Sequence, residues 1–139
     1  MRLHDAILRR AVAALRGAPG LSGARVAAQN EQDLAALVQE DEARIGGLAV
    51  VVTVDEVQKR HTRPASYDVR LSVAATEWVP INRERAGFTT AIDAADAGAE
   101  ALEAAGVGHF VRLSHTTPGD GVLEAVAEMA GTFELDQEQ

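Results

Sequence analysis

The spacing of apolar residues changes period several times along the chain, and each change predicts an element. Leu48-Ala-Val-Val-Val-Thr-Val54, introduced by Gly46-Gly47, is too short for a free-standing helix and predicts a strand covered on both faces. The rest of the chain is expected to be arranged around it. Upstream, Leu3, Ile7, Ala11 and Leu15 recur every four residues with Leu8 and Val12 beside them, while Arg2, Arg9, Arg10 and Arg16 fall elsewhere. That spacing predicts an amphipathic first helix. Gly17, Pro19, Gly20 and Gly23 then end it in a loop. Arg25 to Gln29 has too little polarity contrast to separate a short edge strand from a loop. Asn30 and Asp33 open a short helical pattern with Leu34, Leu37 and Val38, which runs into Glu40-Asp41-Glu42. Acids at a helix C-terminus oppose its dipole, so the last turn is expected to fray.

Beyond Val54 the chain turns polar through Asp55, Glu56, Gln58, Lys59, Arg60 and His61, and Pro64 marks a turn. From Tyr67, period two returns: Tyr67, Val69, Leu71, Val73 and Ala75 alternate with Asp68, Arg70, Ser72 and Thr76, the pattern of a half-buried strand. The two segments predict a hairpin whose arms each run about 12 residues, roughly 40 Å, so its far end is expected to project past the core. Trp78-Val79-Pro80 ends the strand, and Ile81 to Gly87 is expected to be an exposed connector. Thr90 with Asp93 resembles an acidic capping box. Ile92, Ala95, Ala99 and Leu102 then mark the buried stripe of a second helix that stops at Gly106. Phe110 to His115 predicts a strand, and Thr116 to Asp120 a turn. Leu123, Ala125, Ala127, Met129, Phe133 and Leu135 alternate with Glu124, Glu128, Thr132 and Glu134 and predict a last strand, although part of this run also satisfies a helical period. These elements predict one α+β domain over residues 1–135, a four-stranded antiparallel sheet with helices packed on one face, and a disordered tail over 136–139.

Composition narrows the function classes. At 139 residues the chain is long enough for one core without staples, and it has no cysteine, which excludes disulfides, thiolate metal sites and a thiol nucleophile. Arg9 and Arg10 interrupt the opening apolar stretch, which argues against a signal peptide, and no run reaches the ~20 apolar residues that span a bilayer. A soluble, unexported protein without membrane contact is expected. The net charge of −8 argues against tight nucleic-acid binding, because phosphate affinity comes from cations. Aromatic residues, at 4 %, offer few anchors for an apolar ligand.

No motif assigns a catalytic residue, a metal ligand or a cofactor. Gly106-Val-Gly108 lacks a third glycine and precedes a strand, so it is a helix stop and not a phosphate loop. His109 and His115, six apart on one strand, would share a face at a separation of roughly 20 Å, too far to share a metal. Two charge groupings stand out. Asp93, Asp96, Glu100 and Glu103 fall at spacings that align four carboxylates along one side of the second helix. They are a solvated face, the wall of an anionic passage or a surface for a basic partner. Lys59-Arg60-His61 with Arg63 is the basic cluster of an acidic chain. It either keeps a strand edge soluble or docks on the acidic face of an identical subunit, a heterologous contact that closes into a ring or runs on as a filament. Trp78, the one tryptophan, is a plug at the core edge or an interface anchor.

In order of elements the chain resembles the tail-terminator (tail completion, minor tail) proteins of long-tailed bacteriophages and prophages. The resemblance runs through the opening helix Leu3 to Leu15, the strand Leu48 to Val54 and the polar-tipped hairpin returning through Tyr67-Asp-Val-Arg-Leu-Ser-Val73. It continues through the helix Thr90 to Ala105 and the closing strands that end Gly131-Thr-Phe-Glu-Leu135. The acidic stretch Asn30 to Glu42 is longer than that pattern. The resemblance implies a virion structural protein without enzymatic activity, assembled in the bacterial cytoplasm and resident in the virion tail. It would be a homo-oligomeric ring, a hexamer, that caps the tail tube and meets tube and head-connector proteins while DNA passes through. It also implies Lys59, Arg60, His61, Arg63 and Trp78 at the oligomer interface, and Asp93, Asp96, Glu100 and Glu103 on the lumen or a partner face. A neck or head-tail connector protein is the near alternative. A small α+β enzyme or ligand-binding domain is the other, with His109, Arg112 and Asp68 as residues that could meet across strands.

Overall fold

The computed structural model describes residues 2–29, 46–61 and 66–134. The predicted helix from Asn30 to Glu42, the residues Arg63 and Pro64, and the tail 136–139 lie outside them. The apolar stripe read at the start of the chain forms helix α1 (Arg2–Arg16). Its Leu3, Ile7, Leu8, Ala11, Val12 and Leu15 are all buried. A 3₁₀ turn at Pro19–Leu21 leads to strand β1 (Arg25–Ala28). Strands β2 (Leu48–Arg60) and β3 (Ser66–Trp78) make the long hairpin with 13 residues in each arm. A short helix α2 (Val79–Asn82) and helix α3 (Ala91–Ala104) follow, and then strands β4 (His109–Gly119) and β5 (Val122–Glu134).

The class is α+β, but among the described residues the sheet has five strands in the order β1-β2-β3-β5-β4 and is mixed, not four-stranded and antiparallel. The correction is β1, which runs parallel to β2 from Arg25 beside Ala49 to Ala28 beside Val52. Parallel neighbours need a connection of a dozen residues or more, and residues 29–47 supply it. Strand β1 hid in the sequence because Ala27 and Ala28, on opposite faces, are both buried, so no polar alternation marks it.

Helices α1 and α3 cover one face. Gly98 of α3 is where they meet the sheet: a Cβ there would stand 2.9 Å from Val73 Cγ1 of β3 and 3.2 Å from Leu15 Cδ2 of α1. This close approach uses the alanine-rich stripe Ala91, Ala94, Ala95 and Ala99, all buried, with Leu102 as its one large side chain. Thr90 caps α3 by accepting a hydrogen bond from the Asp93 backbone N–H at 3.2 Å, and Gly106 ends it at φ +72°.

Four further expectations change. The hairpin does not leave the core as a two-stranded finger. Strand β5 pairs with β3 along its whole length, as far as Glu134 opposite Ser66, and Val69 and Phe133 are buried there. The connector after Trp78 is not uniformly exposed, since α2 buries Asn82. Strand β4 runs on through Thr116-Thr-Pro-Gly119, and the turn narrows to Asp120-Gly121 with Gly121 at φ +73°. Pro118 is tolerated because β4 is an edge strand. Finally, β4 carries a bulge between Phe110 and Arg112, which flips side-chain parity. His109, beside Ala130, therefore faces away from the helices, while His115, beside Ala125, faces the helix side.

Candidate functional site

The basic cluster stands at the corner of the sheet. Lys59, Arg60 and His61 are all exposed where β2 ends. Lys59 lies opposite Tyr67 on the helix-covered side, and Arg60 opposite Ser66 on the other. Arg60 Nε sits 3.8 Å from Asp68 Oδ2, with both side chains about half exposed, a loose pair that water screens. Arg63 falls outside the described residues. Trp78 is not near this corner. It ends the same strand at the far end, roughly 40 Å away at strand rise. There it is half-buried with Val51 against buried Ala27 on the face the helices leave open. Any interface that uses both Trp78 and the basic corner has to span the length of β3.

The acidic row forms as the spacing predicts. Asp93, Asp96, Glu100 and Glu103 are all exposed along α3. Among the described residues none of the four is in an ion pair. Glu103 Oε2 accepts a hydrogen bond from the Phe110 backbone N–H at 3.4 Å, which puts the end of the row at the start of β4.

The structure also builds a charged site that the sequence reading passed over. Glu77, second to last in β3, is completely buried. Its Oε2 accepts from Asn82 Nδ2 at 2.7 Å and from Arg83 Nε at 3.1 Å, and its Oε1 accepts from the backbone N–H of Ala91 at 3.1 Å. Asn82 Nδ2 also donates to the Thr89 carbonyl at 2.8 Å. One carboxylate thus ties together β3, α2 and the first residue of α3. Burial pushes its pKa up, but the hydrogen bonds from Arg83, Asn82 and Ala91, together with the Arg83 charge, outweigh that and hold it below the ordinary carboxylate value. A signal was present: Tyr67, Val69, Leu71, Val73 and Ala75 set an odd-numbered core face, and Glu77 continues that parity. A carboxylate at a core position needs partners.

Two clefts flank these groups. At the end of the sheet near α2, about 260 Å³ is lined by Gly20, Gly23, Leu48, Asn82, Phe88 and Thr89 around Arg85, whose Nη1 donates to the carbonyls of Gly23 and Gly46. On the open face, about 300 Å³ is lined by Glu56, Asp68, Arg70, His109 and Thr132 over the small side chain of Ala130. The register explains this second cleft: Glu56, Arg70, Ala130 and His109 form one row across four strands, and Gln58, Asp68 and Thr132 form the next. Asp68 accepts from Thr132 Oγ1 at 3.1 Å. His109 and Asp68 are therefore brought to one cleft, whereas Arg112 lies a row away and pairs with Glu128. Among the described residues no group of three or more His, Cys, Asp or Glu side chains could hold a metal ion, and no helix is long and apolar enough to cross a membrane.

No family model matches the chain, and no curated protein matches it.

Proposed function

We propose that the chain is a structural subunit of a phage or prophage virion, a tail terminator that joins with copies of itself into a ring, caps the tail tube and meets the head connector. The observation that carries this reading is a pair of exposed surfaces of opposite sign on one acidic chain. Lys59, Arg60 and His61 stand exposed at one corner of the sheet, and four exposed carboxylates line α3 on the helix layer without an ion pair among the described residues. A basic corner meeting the acidic face of the next copy is a heterologous contact, and repetition closes it into a ring. Carboxylates left on the inner wall repel phosphates and let DNA slide through without adhering. A neck or head-tail connector subunit uses the same contacts with a different neighbour.

The test is the assembly state of the purified chain, by light scattering behind a sizing column at low and high salt, followed by negative-stain imaging. A ring whose population falls as salt rises is expected. A compact monomer at every concentration and salt overturns the reading.

The second reading, a small ligand-binding domain or enzyme, is favoured by the open-face cleft where His109, Asp68, Arg70 and Glu56 converge. It predicts saturable shifts of the His109 ring resonances when a polar small molecule is added to a monomeric protein.

A further inference from the structure

The end of the sheet that carries Trp78 holds a buried polar group whose hydrogen bonding is incomplete. Asn82 is 2 % accessible. Both hydrogens of its amide are in use, on Glu77 Oε2 at 2.7 Å and on the Thr89 carbonyl at 2.8 Å. An ionised carboxylate and a carbonyl can only accept, so these two neighbours fix which way the amide faces and leave Oδ1 on its other side. Among the described residues nothing donates to that oxygen. A buried acceptor without a donor is the exception in folded proteins. Asn82 lines the cleft of about 260 Å³ beside α2.

Arg85 lines the same cleft and is incomplete in the opposite sense. A guanidinium carries five N–H donors. The two on Nη1 go to the carbonyls of Gly23 and Gly46. The Nε–H and the pair on Nη2 meet no acceptor among the described residues, and Arg85 is in no ion pair among them. No acid lines the cleft among those residues either, so Arg85 sets its charge, a local exception in a chain of net charge −8. The Ser22 and Thr89 side chains add hydroxyls to the walls, and Leu48 and Phe88 add apolar surface.

We propose that this cleft binds a small 2-hydroxy carboxylate. The carboxylate oxygens accept from the unused donors of Arg85 in charge-assisted hydrogen bonds, and the hydroxyl on the neighbouring carbon donates to Asn82 Oδ1. A simple anion answers only Arg85, and a neutral alcohol answers only Asn82. An amino group in place of the hydroxyl would bring a second positive charge beside Arg85 with no lining acid to balance it. The volume lies below the roughly 300 Å³ at which sites for drug-sized ligands begin, which suits a ligand of a few heavy atoms.

The test follows the N–H resonances of the isotope-labelled chain during titration with glycolate, acetate or glycine, each against potassium chloride at matched ionic strength. Glycolate is expected to give saturable shifts at the Arg85 Nε–H, the Asn82 amide and the Thr89 N–H. Acetate, which lacks the hydroxyl, should bind roughly fivefold more weakly, and glycine more weakly still. Arg85→Gln should abolish saturation by glycolate and acetate alike, and Arg85→Lys, which keeps the charge without the planar fork, should fall between. Glycolate should also raise the urea midpoint of the wild type and leave that of Arg85→Gln in place. If Arg85 only braced Gly23 against Gly46, its replacement would lower the midpoint and no ligand would raise it. Shifts that potassium chloride reproduces, equal affinity for glycolate and acetate, glycine binding as tightly as glycolate, or saturation that survives Arg85→Gln would each overturn the proposal. Should Arg85→Gln fail to fold, the ligand series on the unaltered chain still decides. The site lies at the opposite end of the strands from the basic corner, so a monomer that binds glycolate would remove the ring and keep the site.

Discussion

The two ends of β3 lie roughly 40 Å apart and are held by different means. At the Trp78 end the backbone is fixed by groups distant in sequence. Trp78 N–H donates to the Gly47 carbonyl at 2.9 Å, Val79 N–H donates to Gly121 at 2.8 Å, and the buried Glu77 carboxylate gathers α2 and the start of α3. At the Ser66 end, the charged side chains around the hairpin corner share, among the described residues, one loose ion pair, Arg60 with Asp68. The first end can store several kcal/mol in buried polar groups that have no alternative partner. The second, a half-exposed pair that water screens, contributes little to folding.

The largest effect is expected from Glu77→Ala. It strands the Ala91 N–H and part of the Asn82 amide in a buried site, and unsatisfied buried donors cost on the order of 1–3 kcal/mol each, so a loss of about 3 kcal/mol is expected from urea denaturation. Glu77→Gln keeps the shape and should lose less. The same carboxylate gives a pH signature. Its folded pKa is depressed, so the unfolded chain takes up the proton more readily. Its contribution is complete above the ordinary carboxylate range of about 4.3 and is lost as pH falls through the folded value. Stability measured between pH 6 and pH 3 should fall less steeply in Glu77→Gln than in wild type; parallel curves would show that the ionised form adds nothing.

Next comes Gly47→Ala. Gly47 adopts φ +84°, and a Cβ there would meet Asn82 Cα at 2.7 Å and Asn82 N at 2.9 Å. Backbone strain and a clash with backbone that cannot yield should cost about 2–3 kcal/mol. Gly46→Ala, with nothing within 4 Å of the added atom, is the control and should shift the midpoint little. Trp78→Ala ranks third. The ring is only half-buried, so a loss of about 2 kcal/mol is expected, below the 3–5 of a fully enclosed tryptophan. A near-zero cost in the monomer would return Trp78 to the interface.

The same contrast governs how much the sequence revealed. Elements whose burial is one-sided were legible: the α1 stripe, the β3 and β5 alternations and the α3 cap follow directly from periodicity. The acidic row of α3 also appears where its spacing predicts. What periodicity missed depends on partners outside the element's own repeat. Strand β1 is too short and too evenly covered to alternate, and Asn82 looked like a loop residue because its partners are Glu77 and Thr89. The bulge at Val111 is a single extra residue, and it moved His109 to the opposite face from His115. The cleft that joins His109 to Asp68 needs four strands in register, which local patterns do not encode.

The smallest effect on stability tests the contrast from its weak end. A double-mutant cycle on Arg60→Ala and Asp68→Asn should give a coupling below about 0.5 kcal/mol, because both side chains are about half exposed at 3.8 Å. Replacing Lys59 and Arg60 together with glutamate should likewise leave the urea midpoint nearly unchanged. The same replacement places two carboxylates where a neighbour's acidic surface is proposed to dock, so light scattering should show the oligomer lost at low salt and partly restored as salt screens the repulsion. A variant that folds like wild type and fails to assemble separates the two ends of β3 by function. A variant that loses several kcal/mol would mean instead that the corner belongs to the folding core, and the charges there would no longer be free to hold a second copy.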